Sequence, residues 1–314
     1  MTQADQARDL IDKFPHLSKK ELGKMLYKLN PLQFTDAEAG RKAVGRVTGA
    51  FGKKDRSKIT HKDIYKGLPQ GEKNDFSPFV LKPGKYGVVA DLHIPYHDLR
   101  AIELAIEYFL KAGIKNLILN GDIIDCYQLS RWDRDPRKRK FSEEVKMVQG
   151  FIKELKNDFK IIFKMGNHSE RYEKFIIQKA PELFDLEILS FENLIGVSEI
   201  DYVKNKRIIK AGKLNIAHGH EWGETIFSPV NPARGLFLKG KTNALCGHYH
   251  QVSEHTETDM NGKVIGTWST GCLCDLTPHY RPLNKWQHGF AIVEHEESGE
   301  FEVNNHKIVK GKIK

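Results

Sequence analysis

Asp, Asn and His recur along this chain in short clusters, each placed directly after an apolar run. Asp91-Leu92-His93 follows the run from Tyr86 to Ala90, and Gly121-Asp122-Ile123-Ile124-Asp125 follows Leu117 to Asn120. Gly166-Asn167-His168 follows Ile161 to Met165, His218-Gly219-His220 follows Leu214 to Ala217, and Gly247-His248-Tyr249-His250 follows Ala244 to Cys246. A short apolar run bounded by polar residues reads as a buried strand. Such strands deliver polar groups at their C-terminal tips, and several tips can converge on one edge of a sheet. Carboxylate, amide and imidazole together form a donor set for borderline-hard divalent metals. A lone His or Asp at a strand end is usually a satisfied polar group. Five armed tips in one chain point instead to a site.

The elements that must position these tips alternate. A strand at 86–91 leads to a helix near 98–111, one at 115–120 to a helix near 142–156, and one at 159–165 to helical segments between 169 and 190. This alternation predicts an α/β layer with parallel pairing. From about 205 the chain reads as strands at 206–218, 242–247, 263–269, 288–294 and 301–309, with one helix near 231–240. The second half is therefore expected to form a second sheet, facing the first, with helices outside.

Composition narrows the class. The chain has 314 residues, 39% of them hydrophobic, enough for one sizeable core and a small satellite. No apolar stretch approaches the ~18 residues of a membrane helix, and Met1-Thr-Gln-Ala-Asp5 lacks a basic-then-apolar leader. A cytoplasmic location is the expectation, with no membrane partner. The four cysteines, Cys126, Cys246, Cys272 and Cys274, form no CxxC pair and read as reduced thiols near strand ends.

The formal charge is +9. Residues 1–85 hold 18 Lys and Arg against 10 Asp and Glu, an excess of eight. This asymmetry points to an anionic partner such as nucleic acid. Two helices are expected in this region. Ser18-Lys19-Lys20-Glu21 is a capping box with Leu17 and Leu22 as a staple, and Thr35-Asp36-Ala37-Glu38 is a second box. Pro31 ends the first helix, and the second presents Arg41, Lys42 and Arg46. Residues 1–75 thus read as a helix-turn-helix-like module and basic linker, and 76–314 as the catalytic domain.

In their order along the chain, Asp91-x-His93, Gly121-Asp122-x-x-Asp125, Gly166-Asn167-His168, His218 and Gly247-His248-x-His250 resemble the calcineurin-like metallophosphoesterase superfamily. The resemblance spans 86–250 and implies a four-layer α/β/β/α sandwich with a two-metal site. It implies that Asp91, His93 and His250 hold one divalent ion, that Asn167, His218 and His248 hold the other, and that Asp122 bridges both. Mn²⁺ suits the mixed donors; Fe, Zn, Ni or Co suit them too. His168 becomes the candidate general acid or phosphate stabiliser, oriented by Asp125. Asp125 is expected one helical turn beyond Asp122. The family's acidic residue after Asn-His is replaced by Ser169, which could cap the next helix, with Glu170 one place later. Cys126-Tyr127 stands where protein Ser/Thr phosphatases carry Arg-Gly, which disfavours that branch. Sharp bends are expected at Gly121, Gly166 and Gly247.

Substrate choice falls to the flanks. Residues 131–140 hold six basic and two acidic side chains around Trp132, a composition suited to a nucleic-acid backbone and a stacked base. Arg131, Trp132 and Arg134 are the candidate substrate contacts, with Trp222 and the stretch from Asn231 to Arg234 behind them. The whole chain is similar to phosphoesterases and DNA-repair-type exonucleases often encoded by bacteriophages. A nuclease or phosphodiesterase is the leading expectation. A phosphomonoesterase or small-nucleotide phosphodiesterase is the alternative, and a nucleic-acid binding protein with a structural metal the third. The sequence names no protein partner.

Overall fold

The computed structural model describes residues 2–52, 71, 73–132, 134–135, 137, 140–197, 199–223 and 230–314. It divides into two compact units, Met1–Asn74 and Asp75–Lys314. No helix among the described residues is long and apolar enough to cross a membrane.

The first unit contains α1 (Gln3–Lys13), α2 (Lys19–Leu29) and α3 (Ala37–Val47). Two of these match the helices read from the capping signals. Ser18 and Glu21 cap α2 reciprocally. At α3 the cap is Asp36, which accepts from the Ala39 amide, rather than Thr35. The extra helix, α1, carries its own capping box of Thr2 and Asp5. Its apolar face is short, and Ala7 and Leu10 are its buried residues, so its periodicity is faint. Ala7, Leu10, Leu22, Leu26, Phe34, Ala43, Val44 and Val47 form one small core. The basic linker expected between Gly52 and Pro83 falls mostly outside the described residues.

The second unit is built on two sheets. Its strands are β1 (Phe79–Val80), β2 (Gly84–Val89), β3 (Asn116–Asn120), β4 (Lys160–Lys164), β5 (Asp201–Val203), β6 (Ile209–Ala211), β7 (Leu214–Ile216), β8 (Ala244–Cys246), β9 (Ser253–Thr258), β10 (Val264–Ser269), β11 (His288–His295), β12 (Phe301–Val309) and β13 (Lys312–Ile313). One sheet runs β13-β12-β11-β2-β3-β4-β5 and the other β1-β6-β7-β8-β10-β9. The second half of the chain therefore does not form one sheet by itself: β11 pairs antiparallel with β2 and returns the last strands to the first sheet. The reason is hydrophobicity on both faces of β11, where Gly289 to Val293 are buried; Phe290 and Ile292 pack on the helix side and Ala291 and Val293 toward the other sheet.

The expected strand at 206–218 is a hairpin of β6 and β7. Pairing of β2, β3 and β4 is parallel, as the alternation requires. Between these strands run α4 (Leu99–Lys111) and α5 (Phe141–Leu155), followed after β4 by α6 (Glu170–Lys179) and α7 (Phe191–Ile195). Ile102, Phe109, Val148 and Ile152 pack with Leu117, Leu119 and Phe163 on the helix side of the first sheet. Between the sheets, Val88, Ile118 and Ile162 meet Ile209, Ile216 and Leu245. The helix α8 (Pro232–Gly240) covers the far side of the second sheet through Leu236, against Ala244 and Cys246. The order helix, sheet, sheet, helix is thus the sandwich expected, and the tips of β2, β3, β4, β7 and β8 carry the Asp, Asn and His clusters.

Candidate metal centre

The backbone at these tips is unusual before any side chain is considered. Asp91, His93, Asp122, His248 and His250 all have positive φ, between 49° and 69°. The left-handed region costs a non-glycine residue ~1–3 kcal/mol and survives where the surroundings over-determine it, most often at functional sites. Here the chain turns sharply at the tips of β2, β3 and β8 so that the carboxylates and imidazoles face one another. Of the expected glycine bends, Gly121 has positive φ, 85°. Gly166 serves differently: a Cβ there would lie 2.3 Å from Asp122 Oδ1, so glycine makes room for the carboxylate. At Gly247 a Cβ would meet Ala90 at 2.6 Å.

The side chains form groups able to hold cations: Asp91, His93 and His250; His93, Asp122 and His168; Asp122, His218 and His248. Asp122 belongs to two of them and sits at their junction. Backbone amides aim both aspartates. The His168 amide donates to Asp122 Oδ1 at 2.9 Å, and the His248 amide donates to Asp91 Oδ2 at 2.7 Å. Nδ1 of His218 lies 2.8 Å from the carbonyl of Asn120. A carbonyl only accepts, so Nδ1 carries the proton and the lone pair of Nε2 faces Asn167 Oδ1 at 3.2 Å and Asp122 Oδ2 at 3.1 Å. In the same way Nδ1 of His93 lies 2.9 Å from Asp125 Oδ1, which turns its Nε2 toward Nε2 of His250 at 3.2 Å. His250 Nε2 is in turn 3.2 Å from Asp91 Oδ1. Lone pairs directed at lone pairs repel unless a cation lies between them. The donor set therefore fits two divalent ions, with Asn167 among the oxygens.

Electrostatics agree with this reading. Burial works against charge on His218, yet Asp122 outweighs it and lifts the imidazole to about 9: a proton takes the place of a cation. His248 is pushed down to about 4 by burial and by His218. Burial also opposes ionisation of Asp122, but His218 and His168 hold its carboxyl well below the ordinary range.

Asp125 does not lie on a helix begun by Asp122. The segment is extended, Cys126 has φ 50°, and only a 3-10 turn, Tyr127–Leu129, follows. From this loop Asp125 Oδ1 still reaches two imidazoles, His93 Nδ1 at 2.9 Å and His168 Nδ1 at 3.0 Å. Those imidazoles overcome burial and depress its pKa.

Several residues at the site carry no motif. Arg171 places Nη2 2.9 Å from His168 Nε2 and donates through Nη1 to the Asp125 carbonyl at 2.9 Å. Its nearness to the Asn-His motif is the signal that could find it: Arg171 follows His168 by three residues, across the turn that opens α6, where its amide donates to the His168 carbonyl at 3.1 Å. Ser169 stands at the cap of α6 but makes no capping hydrogen bond. Glu170 instead pairs with His220 at 2.9 Å, which lowers its carboxyl to about 2 against the cost of burial. Glu221 accepts from the His218 and Gly219 amides, and the fully buried Lys164 ammonium lies 2.8 Å from it. Behind His250 lie Cys274 Sγ, 3.8 Å from Nδ1, and the Trp286 ring. All four cysteines are buried and unpaired as disulfides.

Among the candidate substrate contacts, Arg131 lies over the Trp132 ring at 4.9 Å, and Trp132 is 67% exposed. Arg134 is turned away to the Gln128 carbonyl at 2.8 Å, so it orders the loop. Lys138 and Arg139 of this loop lie outside the described residues. Asn231 caps α8 through the Arg234 amide, so residues 231–234 are a helix turn and not a loop; Pro at the first helical position favours this. Trp222 packs on the cluster of Leu236 and Cys246. In the first unit Arg41 is tied to Glu38, while Lys42 and Arg46 are exposed.

A family model described as calcineurin-like phosphoesterase matches residues 84–266. No curated protein matches the chain. Solved structures resembling it include vacuolar protein sorting 29 from Cryptosporidium parvum, 14% identical over 74% of this chain and 96% of that one, with a TM-score of 0.40. A dimetal phosphatase from Danio rerio is 12% identical over 71% and 96%, with a TM-score of 0.39. The phosphoesterase Yfce from E. coli is 17% identical over 67% and 88%, with a TM-score of 0.34.

Proposed function

We propose a substrate and a set of residue roles for a chain that belongs to the calcineurin-like phosphoesterase family and is, with that family, a metal-dependent hydrolase. The substrate is a nucleic-acid phosphodiester, and the enzyme is a nuclease or phosphodiesterase. Asp91, His93 and His250 would hold one divalent ion and Asn167, His218 and His248 the other, with Asp122 shared between the two sets; Mn²⁺ is the ion we assign. Bound there, the two ions supply positive charge to the phosphoryl oxygens and lower the pKa of an attacking water.

The chain's own residues supply the rest. Asp125 fixes the Nδ1–H tautomer of His93 and of His168, so that Nε2 of each faces the site. His168, on the rim of the Asp122 cluster, accepts from Arg171 at Nε2; it would stabilise phosphoryl charge there, or act as the acid for the leaving oxygen once a proton replaces that guanidinium N–H. Arg171, which directs Nη2 at His168 and donates through Nη1 to the Asp125 carbonyl, adds positive charge on the same side. Arg131 and Trp132 offer a cation and an exposed ring to the polynucleotide. The basic first unit adds affinity for phosphates through Lys42 and Arg46.

The observation that supports the two-ion site is the position of Asp122 in two imidazole clusters at once, and the one that supports a polynucleotide is Arg131 over the exposed Trp132 ring in the basic loop that follows. The test of this reading is direct. The full-length protein with Mn²⁺ should cleave DNA or RNA, and Asp122→Asn or His168→Ala should abolish cleavage. Failure of the wild type to cleave any polynucleotide under these conditions removes the nucleic-acid assignment.

A further inference from the structure

The segment between β10 and β11 approaches the metal centre at His250, through Cys274 and Trp286, and no motif marks it. We propose that it carries a base-stacking subsite, in which Tyr280 receives the nucleobase flanking the scissile phosphate. This rests on the nucleic-acid reading above and adds the ring that holds the base.

The geometry is a ladder of rings. The edge of Trp286 meets His250 with centroids 4.2 Å apart, and Tyr280 meets Trp286 at 6.3 Å. Exposure rises along it, from 6% at His250 to 74% at Tyr280. The inner end is an imidazole of the metal centre and the outer end is an aromatic face open to solvent. An aromatic ring kept for packing is buried, as Phe290 and Phe163 are in this unit. Tyr280 is instead presented.

The loop that presents it is held firmly. Asn284 donates to the carbonyls of Leu276 at 2.7 Å and Arg281 at 2.9 Å, and accepts from the Trp286 amide at 2.8 Å. The Arg281 amide donates to the Pro278 carbonyl at 2.9 Å. At the far end, the Gln287 amide donates to the His250 carbonyl at 2.8 Å. A ring fixed in advance loses little entropy when a base stacks on it. Arg281, beside Tyr280 and exposed, supplies the cation that a neighbouring phosphate needs. A ring with a cation next to it, one ladder from a phosphoryl-binding centre, is the chemistry of a nucleotide rather than of a bare phosphate.

The test compares two single-stranded oligonucleotides, one normal and one with every base replaced by an abasic tetrahydrofuran. Full-length wild type, Tyr280→Ala and Tyr280→Phe are assayed with Mn²⁺, with bis-p-nitrophenyl phosphate as a check of hydrolysis. Stacking of one base is worth ~1–3 kcal/mol. Tyr280→Ala should therefore lower kcat/KM on the normal strand by about tenfold or more. It should leave the abasic strand at the wild-type rate, and Tyr280→Phe should keep the normal rate on both. Wild-type turnover of the normal strand by Tyr280→Ala overturns the subsite alone, as does an equal loss on both strands. If wild type hydrolyses the bis ester but neither oligonucleotide, the nucleic-acid reading falls and the subsite falls with it.

Discussion

Nη2 of Arg171 stands 2.9 Å from Nε2 of His168, with the guanidinium braced against the Asp125 carbonyl. An arginine braced in this way is held in place before substrate arrives, and in the proposed mechanism it adds charge beside the phosphoryl oxygen. Loss of one such donor costs on the order of 10²-fold in rate. Arg171→Ala should lower kcat on bis-p-nitrophenyl phosphate by about that factor without changing metal content. Arg171→Lys should recover little of it, since an ammonium lacks the forked geometry. An unchanged kcat in Arg171→Ala would remove this residue from the reaction.

Asp125 serves two imidazoles through one oxygen, that of His93, a proposed ligand, and that of His168, proposed to stand beside the leaving group. Asp125→Asn keeps an acceptor but removes the charge. Partners of ligand histidines typically contribute ~10–100-fold to metal affinity or activity. Both readouts should fall in Asp125→Asn, metal affinity through His93 and kcat through His168. A loss in only one of them would mean that the shared oxygen is not shared in function.

Lys164 is fully buried and pairs with Glu221, which holds the backbone amides of His218 and Gly219. Glu221 is held well below the carboxylate range by Lys164, against its own burial. Lys164→Met leaves that carboxylate buried without its counter-charge, a change that costs ~3–5 kcal/mol. Urea unfolding should report that loss, and the double change Lys164→Met with Glu221→Gln should recover part of it.

The imidazoles predict how stability depends on pH when a chelator keeps the protein free of metal. His218 has a folded pKa of about 9, above the ordinary 6.5. Its contribution is complete below pH 6.5 and is lost as pH rises through 9. His248 has a folded pKa of about 4, below 6.5. Its contribution is complete above pH 6.5 and is lost as pH falls through 4. From these two groups the chelated protein should melt highest near pH 6.5. With Mn²⁺ the alkaline loss should vanish, because a cation replaces the His218 proton. A melting temperature that rises steadily from pH 6.5 to 9 in chelator would contradict this.

Strand tips and helix faces were legible in the sequence because burial imposes a period on apolar residues. The chain from Tyr86 to Ala90, and from Leu117 to Asn120, could hardly be anything but a strand that ends in a polar group. What periodicity cannot show is which sheet a strand joins. β11 is apolar on both faces wherever it sits, so its return to β2 becomes visible only in three dimensions. The helix expected from Asp122 to Asp125 failed because Asp122 and Cys126 take left-handed conformations, which composition does not announce. Arg171, Lys164 and Tyr280 lay hidden for a related reason. A single Arg, Lys or Tyr is ordinary in any sequence, and only position makes it specific.

The proposed ligands also come from both layers of the sandwich. Asp91, His93, Asp122 and Asn167 stand at the tips of β2, β3 and β4 in one sheet, while His218, His248 and His250 stand beyond β7 and β8 in the other. His93 and His250 are 157 positions apart along the chain, yet their Nε2 atoms meet. A cation held there is a clasp between two layers, added to their apolar contact and to the Lys164–Glu221 pair, and closing so long a loop is worth more than closing a short one. Withdrawing the ion should therefore loosen the sheets from each other before either frays. Amide exchange would reveal this as an early loss of protection along β7 and β8, while β2 and β3 stay closed.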